Sequence, residues 1–154
     1  MPGMREFRSV DELEAAVGQH LGYSDWVVID QERIDRFADA TGDHQWIHVD
    51  PERAKDGPFG TTIAHGYLTL SITNLFLAEL LVVTGAKHGV NYGANKVRFP
   101  AAVPAGARVR MGCELLDVAA VGGDAVQVVT RNTVEVDGDD KPACVVEAVS
   151  HFAF

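Results

Sequence analysis

The apolar residues of this chain change their repeat near residue 86, from helical three- and four-residue steps before it to strict alternation after it. A chain that switches from helix period to strand period in this way is expected to form an α+β domain. Its helices come first, and a strand meander then packs around them. After Gly85, Val109, Met111, Cys113 and Leu115 alternate with Arg108, Arg110, Gly112 and Glu114, the pattern of a half-buried strand. Similar runs cover about 89–99, 124–136 and 142–154, with Val126, Val128, Thr130, Asn132, Val134 and Val136 on one face of the second of these. Pro104-Ala105-Gly106, Gly122-Gly123 and Asp137-Gly138 separate the runs and predict antiparallel hairpins.

Before the switch, Val10, Leu13, Val17 and Leu21 predict a first helix, with Asp11 and Glu12 where the helix dipole favours acids. Asp25 to Ile29 reads as a short strand, after which Asp30 can cap a helix burying Ile34, Phe37 and Ala38 and ending at Thr41-Gly42. The segment from 66 to 84 (Leu68, Leu70, Ile72, Leu75, Phe76, Leu77, Leu80, Leu81) is apolar almost all round and predicts a helix enclosed by other structure. One antiparallel sheet wrapped on one helix leaves edges to manage, so a homodimer is expected.

Composition removes several classes of partner. The 22 acidic residues outnumber the 13 basic ones among 154, giving a formal charge of −9 that repels polyanions and argues against nucleic acid. The most apolar run, Leu75 to Val83, is broken by Glu79 and falls short of the ~20 residues that span a bilayer, so no membrane insertion is expected. The stretch from Met1 to Arg8 lacks the apolar core of a secretory signal, which predicts a cytoplasmic protein. Cys113 and Cys144 fall in strands without CxxC spacing and read as reduced core residues.

The chemistry concentrates in the polar connection from Asp43 to about Ala64, longer than a compact domain carries without a functional reason. Asp43 and His48, five residues apart, can reach one water on a bent loop and activate it; alone, such a pair reads more readily as a capping acid and a backbone-bonded imidazole, and the surrounding motif reverses that preference. His44 and His48 have the HxxxH spacing of a zinc protease. Gln45 stands where the glutamate base is needed, and the segment reads as a loop, so no metal is expected and His44 is placed in solvent. Ala64-His65-Gly66 opens the buried helix, so free N–H groups and the positive dipole end face the loop, an arrangement suited to an oxyanion. His65 reads either as a structural hydrogen-bonder or as a ligand contact. Asn74 and Glu79, inside the apolar helix, each need a polar partner; Asn74 reads either as reaching under the loop or as bonding a neighbouring strand.

Phe37-Ala38-Asp39-Ala40-Thr41-Gly42-Asp43, His48, Asp50, Phe59-Gly60 and Ile63-Ala64-His65-Gly66 together resemble the hydratase motif of the MaoC-like dehydratases, the (R)-specific enoyl-CoA hydratases of hot-dog fold. Asn91-Tyr92-Gly93, Val97-Arg98-Phe99-Pro100 and Val103-Pro104-Ala105-Gly106 extend the likeness, which covers about residues 23–154. The resemblance implies an α+β hot-dog fold: a curved antiparallel sheet wrapped around a central buried helix, in a single MaoC-like domain over 1–154 with residues 1–22 as an N-terminal helical extension. It implies Asp43 and His48 as the catalytic pair and the Gly66 N–H as the group that polarises the thioester carbonyl, beside which the residues themselves offer His65 and Asn74 as candidate substrate contacts. It also implies water addition to a trans-2-enoyl-CoA giving the (R)-3-hydroxyacyl-CoA, without a cofactor. The chain departs from the family at Gln45-Trp46, where Asn-Pro is common; Trp46 reads as an anchor for the loop or as a wall narrowing the acyl channel.

A fold can serve several chemistries, so a hot-dog acyl-CoA thioesterase and a non-catalytic acyl-CoA binding module stand as alternatives. The complete motif favours addition over hydrolysis, and a binding module needs no acid and base together. Arg53, Lys55, Lys87, Lys96 and Arg98 are candidates for the CoA phosphates, with surface solvation the default for each.

Overall fold

A computed structural model describes residues 4–154. The elements are β1 (Glu6–Phe7), α1 (Val10–Ala15), β2 (His20–Tyr23), β3 (Val27–Ile29), α2 (Gln31–Thr41), α3 (Trp46–Val49), α4 (Pro51–Ala54), α5 (Gly66–Leu80), β4 (Val82–Val83), β5 (His88–Arg98), β6 (Ala107–Gly122), β7 (Ala125–Val136) and β8 (Cys144–Ala153). The main sheet runs β2-β6-β7-β8-β5, with β3 also pairing β6, and all of these pairings are antiparallel. This is the α+β arrangement expected from the change of period.

The alternation of β6 to β8 is spent on one packed layer. Val109, Met111, Cys113 and Leu115 of β6 are fully buried, as are Val134 of β7 and Cys144 of β8. Against them lie Leu68, Ile72, Phe76 and Leu80 of α5, whose four-residue spacing makes a single stripe. Both cysteines are free and buried.

Three expectations need correction. The first helix ends at Ala15, and Leu21 instead enters β2, where it is buried beside β6. An N-terminal helix is therefore present only as α1, capped by Ser9, whose hydroxyl accepts from the Glu12 N–H. The central helix is shorter than 66–84 and is buried on one face only: Tyr67 and Leu75 stand exposed, and so does Asn74, while Glu79 is half-buried. Apolar composition all round marks surfaces that want cover, and in a single chain the sheet covers only one side. The segment after Asp43, read as a loop, closes one helical turn from Trp46 to Val49 before α4 begins.

Strand β5 lies at the sheet's edge, its outer rim unpaired among the described residues. Every position along it except Val97 is exposed, including Val90 and Tyr92.

Candidate active site

Asp30 caps α2 by accepting the Arg33 N–H, and Gly42, at φ 81°, ends it in the left-handed region that glycine adopts without a Cβ penalty. This sharp stop turns Asp43 out of the helix. Its carboxylate accepts the Gln45 N–H at 3.3 Å, just ahead of the short helix α3, which carries His48. Asp43 thus performs the local capping any loop acid could perform, and remains exposed toward the cavity it lines.

His48 is buried, at 7% exposure. Its Nδ1–H donates to the Ile63 carbonyl at 2.8 Å, which fixes the tautomer and leaves Nε2 with a free lone pair. Residues 61–65 are strapped in place to make that bond: Ile63 N–H donates to Ile47 O at 3.0 Å, and Ala64 N–H to Val103 O at 2.8 Å. Gln31 adds a cross-tie, its amide donating to the His48 carbonyl at 2.7 Å while its oxygen accepts the Thr62 hydroxyl. Nothing in the sequence marks Gln31, because its partners lie 17 and 31 residues away.

His65, 3% exposed, stacks on His48 with ring centroids 3.8 Å apart and planes 22° from parallel. Its Nε2–H donates to the Asp43 carbonyl at 2.9 Å, and its Nδ1 has no partner among the described residues. His65 precedes α5 without capping it by its side chain; Leu68 and Thr69 N–H donate to its carbonyl, and the Gly66 N–H stays available. A Cβ at residue 66 would press on the Phe99 ring at 3.3 Å, so the backbone here is approached as closely as glycine permits.

Asp43, His48, His65 and Gly66 line one open cavity of about 470 Å³, flanked by the aromatic rings of Phe37, Tyr67 and Phe99. Phe37 and Phe99 belong to the quoted motifs without an assigned role, and nothing in the sequence marks Tyr67 as a site residue. Asn74 is absent from this cavity: it lies two turns further along α5, on an exposed position between Leu77 and β5. Of the two readings of Asn74, the one under the loop would need it near Gly66, whereas the helix carries it along its axis at 1.5 Å per residue.

One ligand atom from each of Asp43, His48 and His65 falls within 4.8 Å of the others. Two stacked imidazoles direct their lone pairs along nearly parallel planes. Of their four nitrogens, His48 Nδ1 is occupied by the Ile63 carbonyl and His65 Nε2 by the Asp43 carbonyl. A small hydrogen-bonding molecule such as water fits between ligand atoms spread over this distance.

His44 stays outside, in solvent, where its Nε2 pairs with Asp39 at 2.9 Å. That hydrogen bond holds its pKa above the ordinary histidine value. Trp46 is held away from the cavity as a loop anchor: the Arg53 guanidinium lies 4.3 Å from its ring, and Gly57 packs against its edge. Lys55 is taken by Glu52. Among the described residues no helix is long and apolar enough to cross a membrane.

The chain is 55% identical over 149 residues to 3-hydroxyacyl-thioester dehydratase Z of Mycobacterium tuberculosis, covering 97% of this chain and 99% of that protein. It is 39% identical over 148 residues to nodulation protein N of Rhizobium leguminosarum, covering 95% and 92%. An R-hydratase from Pseudomonas aeruginosa superimposes with a TM-score of 0.71 at 25% identity, over 96% of this chain and 86% of that one, giving the hot-dog fold. The family model described as "MaoC like domain" matches residues 12–137, and the chain belongs to the MaoC-like family.

Proposed function

We propose that the protein is an (R)-specific enoyl-CoA hydratase, acting in reverse as a 3-hydroxyacyl-thioester dehydratase, with Asp43 and His48 as its catalytic pair. One observation carries the reading: an exposed carboxylate, an imidazole with a free Nε2 and the open first turn of α5 line the same cavity. The 55% identical relative named as a dehydratase and the R-hydratase neighbour support the same reaction and its stereochemical sense.

The thioester carbonyl accepts from the Gly66 N–H, where the helix dipole favours the negative charge that develops on oxygen. Water sits between the Asp43 carboxylate and His48 Nε2. As its oxygen attacks C3, one of its protons passes to the pair, electrons shift from the double bond to the thioester enolate, and the proton is returned to C2. The atoms of a single water supply both the hydroxyl and the new C–H bond. The reverse path removes them from the (R)-3-hydroxyacyl thioester, and no cofactor takes part.

The second copy of the chain belongs to this reading. The exposed edge of β5 and the uncovered face of α5 at Tyr67 and Leu75 are the surfaces a homodimer would bury. Sedimentation equilibrium is expected to give a dimer, and a monomer at micromolar concentration would remove that part. The two buried, unpaired thiols suit the cytoplasm.

The test follows the loss of enoyl-thioester absorbance with crotonyl-CoA and longer enoyl-CoA substrates. Wild type is expected to hydrate them, with Asp43→Asn and His48→Gln each losing roughly 10²-fold or more. Undiminished rates in both variants would end the assignment. Release of free CoA thiol would move the protein to the thioesterases, with the same water attacking the carbonyl carbon.

A further inference from the structure

The cavity at Asp43 and His48 and a second, separate one both lie along α5. Gly66 lines the first; Leu70, Thr73, Asn74 and Leu77 line the second, a space of about 260 Å³ between α5 and strands β5, β7 and β8. Steps of three and four residues place these side chains in one row. At 1.5 Å per residue, Asn74 lies about 12 Å along the helix axis from Gly66.

The second cavity reaches Asn132, in the middle of β7 between Cys113 of β6 and Val146 of β8. Asn132 is 0% exposed, and neither its Oδ1 nor its Nδ2 has a hydrogen-bond partner among the described residues. Its same-face neighbours along β7 are the buried Thr130 and Val134, and an apolar side chain would avoid the cost of an unpaired amide at this position. A buried amide that its own protein leaves unpaired on both atoms calls for a partner from outside. The cavity wall narrows what that partner is. It offers the uncharged polar groups of Ser71, Asn74, Asn91 and Ser150 beside Leu70 and Leu77, and no ionised side chain. A carboxylate or amine would meet no counter-charge there, whereas a hydroxyl both donates to an amide oxygen and accepts from an amide N–H.

We propose that the acyl chain runs along this face of α5 from Gly66 into the second cavity, where Asn132 selects chains that carry a hydroxyl group remote from the thioester. The proposal rests on the hydratase reading, because the carbonyl at Gly66 sets where the chain begins. It makes Asn132 the residue that distinguishes an oxygenated tail from a plain one.

The experiment measures equilibrium binding of a saturated medium-chain acyl-CoA and of isomers bearing one hydroxyl at successive carbons of the distal half, by titration calorimetry. Wild type is expected to bind one of these isomers roughly tenfold tighter than the plain chain. Asn132→Leu is expected to reverse that order, and Asn132→Val, a side chain suited to a strand, supplies a second variant should the first fail to fold. If every isomer binds wild type no better than the plain chain, the amide is satisfied by trapped water alone and the proposal falls. It falls equally if the preference survives in a folded Asn132 variant. Crotonyl-CoA hydration by wild type reports separately on the reaction. Its absence beside a retained hydroxyl preference overturns the chemistry and leaves the subsite, and hydration without the preference does the converse.

Discussion

His48 and His65 lie face to face, 3.8 Å between ring centroids, and each is tied by its other edge to a different backbone carbonyl, Ile63 for one and Asp43 for the other. His65 therefore touches both members of the pair: it backs the ring of one and holds the main chain of the other. Replacing it with leucine removes the stack and the bond together. His65→Leu is expected to lower kcat by roughly tenfold or more with a smaller change in KM, since misplacing reacting groups by a fraction of their contact distance weakens the chemical step. His65→Gln, which keeps a donor for the Asp43 carbonyl, is expected to recover part of the loss. Steady-state kinetics on a short enoyl-CoA checks both, and equal effects of the two substitutions would show that the donor does not matter.

Gly66 separates activity from stability. A methyl group at this position meets the Phe99 ring at 3.3 Å and displaces it beside the helix N-terminus, while alanine in place of glycine does not disfavour the helix. Gly66→Ala is expected to keep or raise the melting temperature and to lower kcat/KM by roughly tenfold. Calorimetry beside the kinetic assay checks the pair of effects, and a variant as active as wild type would argue against carbonyl binding at Gly66.

Burial pushes the thiol of Cys113 up to about 12 and that of Cys144 up to about 11, from an ordinary 9.0. Both thiols stay protonated at neutral pH and should resist thiolate-directed reagents until the protein unfolds. The linkage has a definite sign. The folded state keeps protons that the unfolded chain releases, so this contribution to stability is complete below pH 9 and is lost as pH rises toward 11 and 12. Labelling kinetics against urea, and melting temperature across alkaline pH, provide the checks.

His44 titrates above the ordinary histidine value, chiefly because Asp39 accepts its hydrogen bond. The raised value means that the pair favours the folded state below the ordinary histidine pKa, and that this contribution disappears as pH rises through the folded one. The pair is exposed and so contributes little. Proton NMR of the His44 ring is expected to show the elevated midpoint, returning toward 6.5 in Asp39→Asn. An unmoved midpoint in that variant would assign the shift elsewhere.

Local signals carried much of the architecture. The switch from helical to alternating spacing placed β5 to β8 within a residue or two, except that β6 extends to Gly122, and Asp30 and Gly42 bounded α2 because capping depends on near neighbours. The spacing of Asp43 and His48, followed by glycine at the start of α5, was likewise visible along the chain. Tertiary structure alone decided what lies opposite what. The strap from Ile47 through Ile63 and Ala64 to Val103 brings His65 onto His48, and Gln31 joins the loop from an earlier helix. Burial of α5 on one face, which left Asn74 exposed, and the orphaned amide of Asn132 depend on which surfaces the sheet reaches. Periodicity records which face a residue takes within its own element, whereas partners and voids are set by contacts between segments far apart in sequence, whose pairing no local pattern encodes.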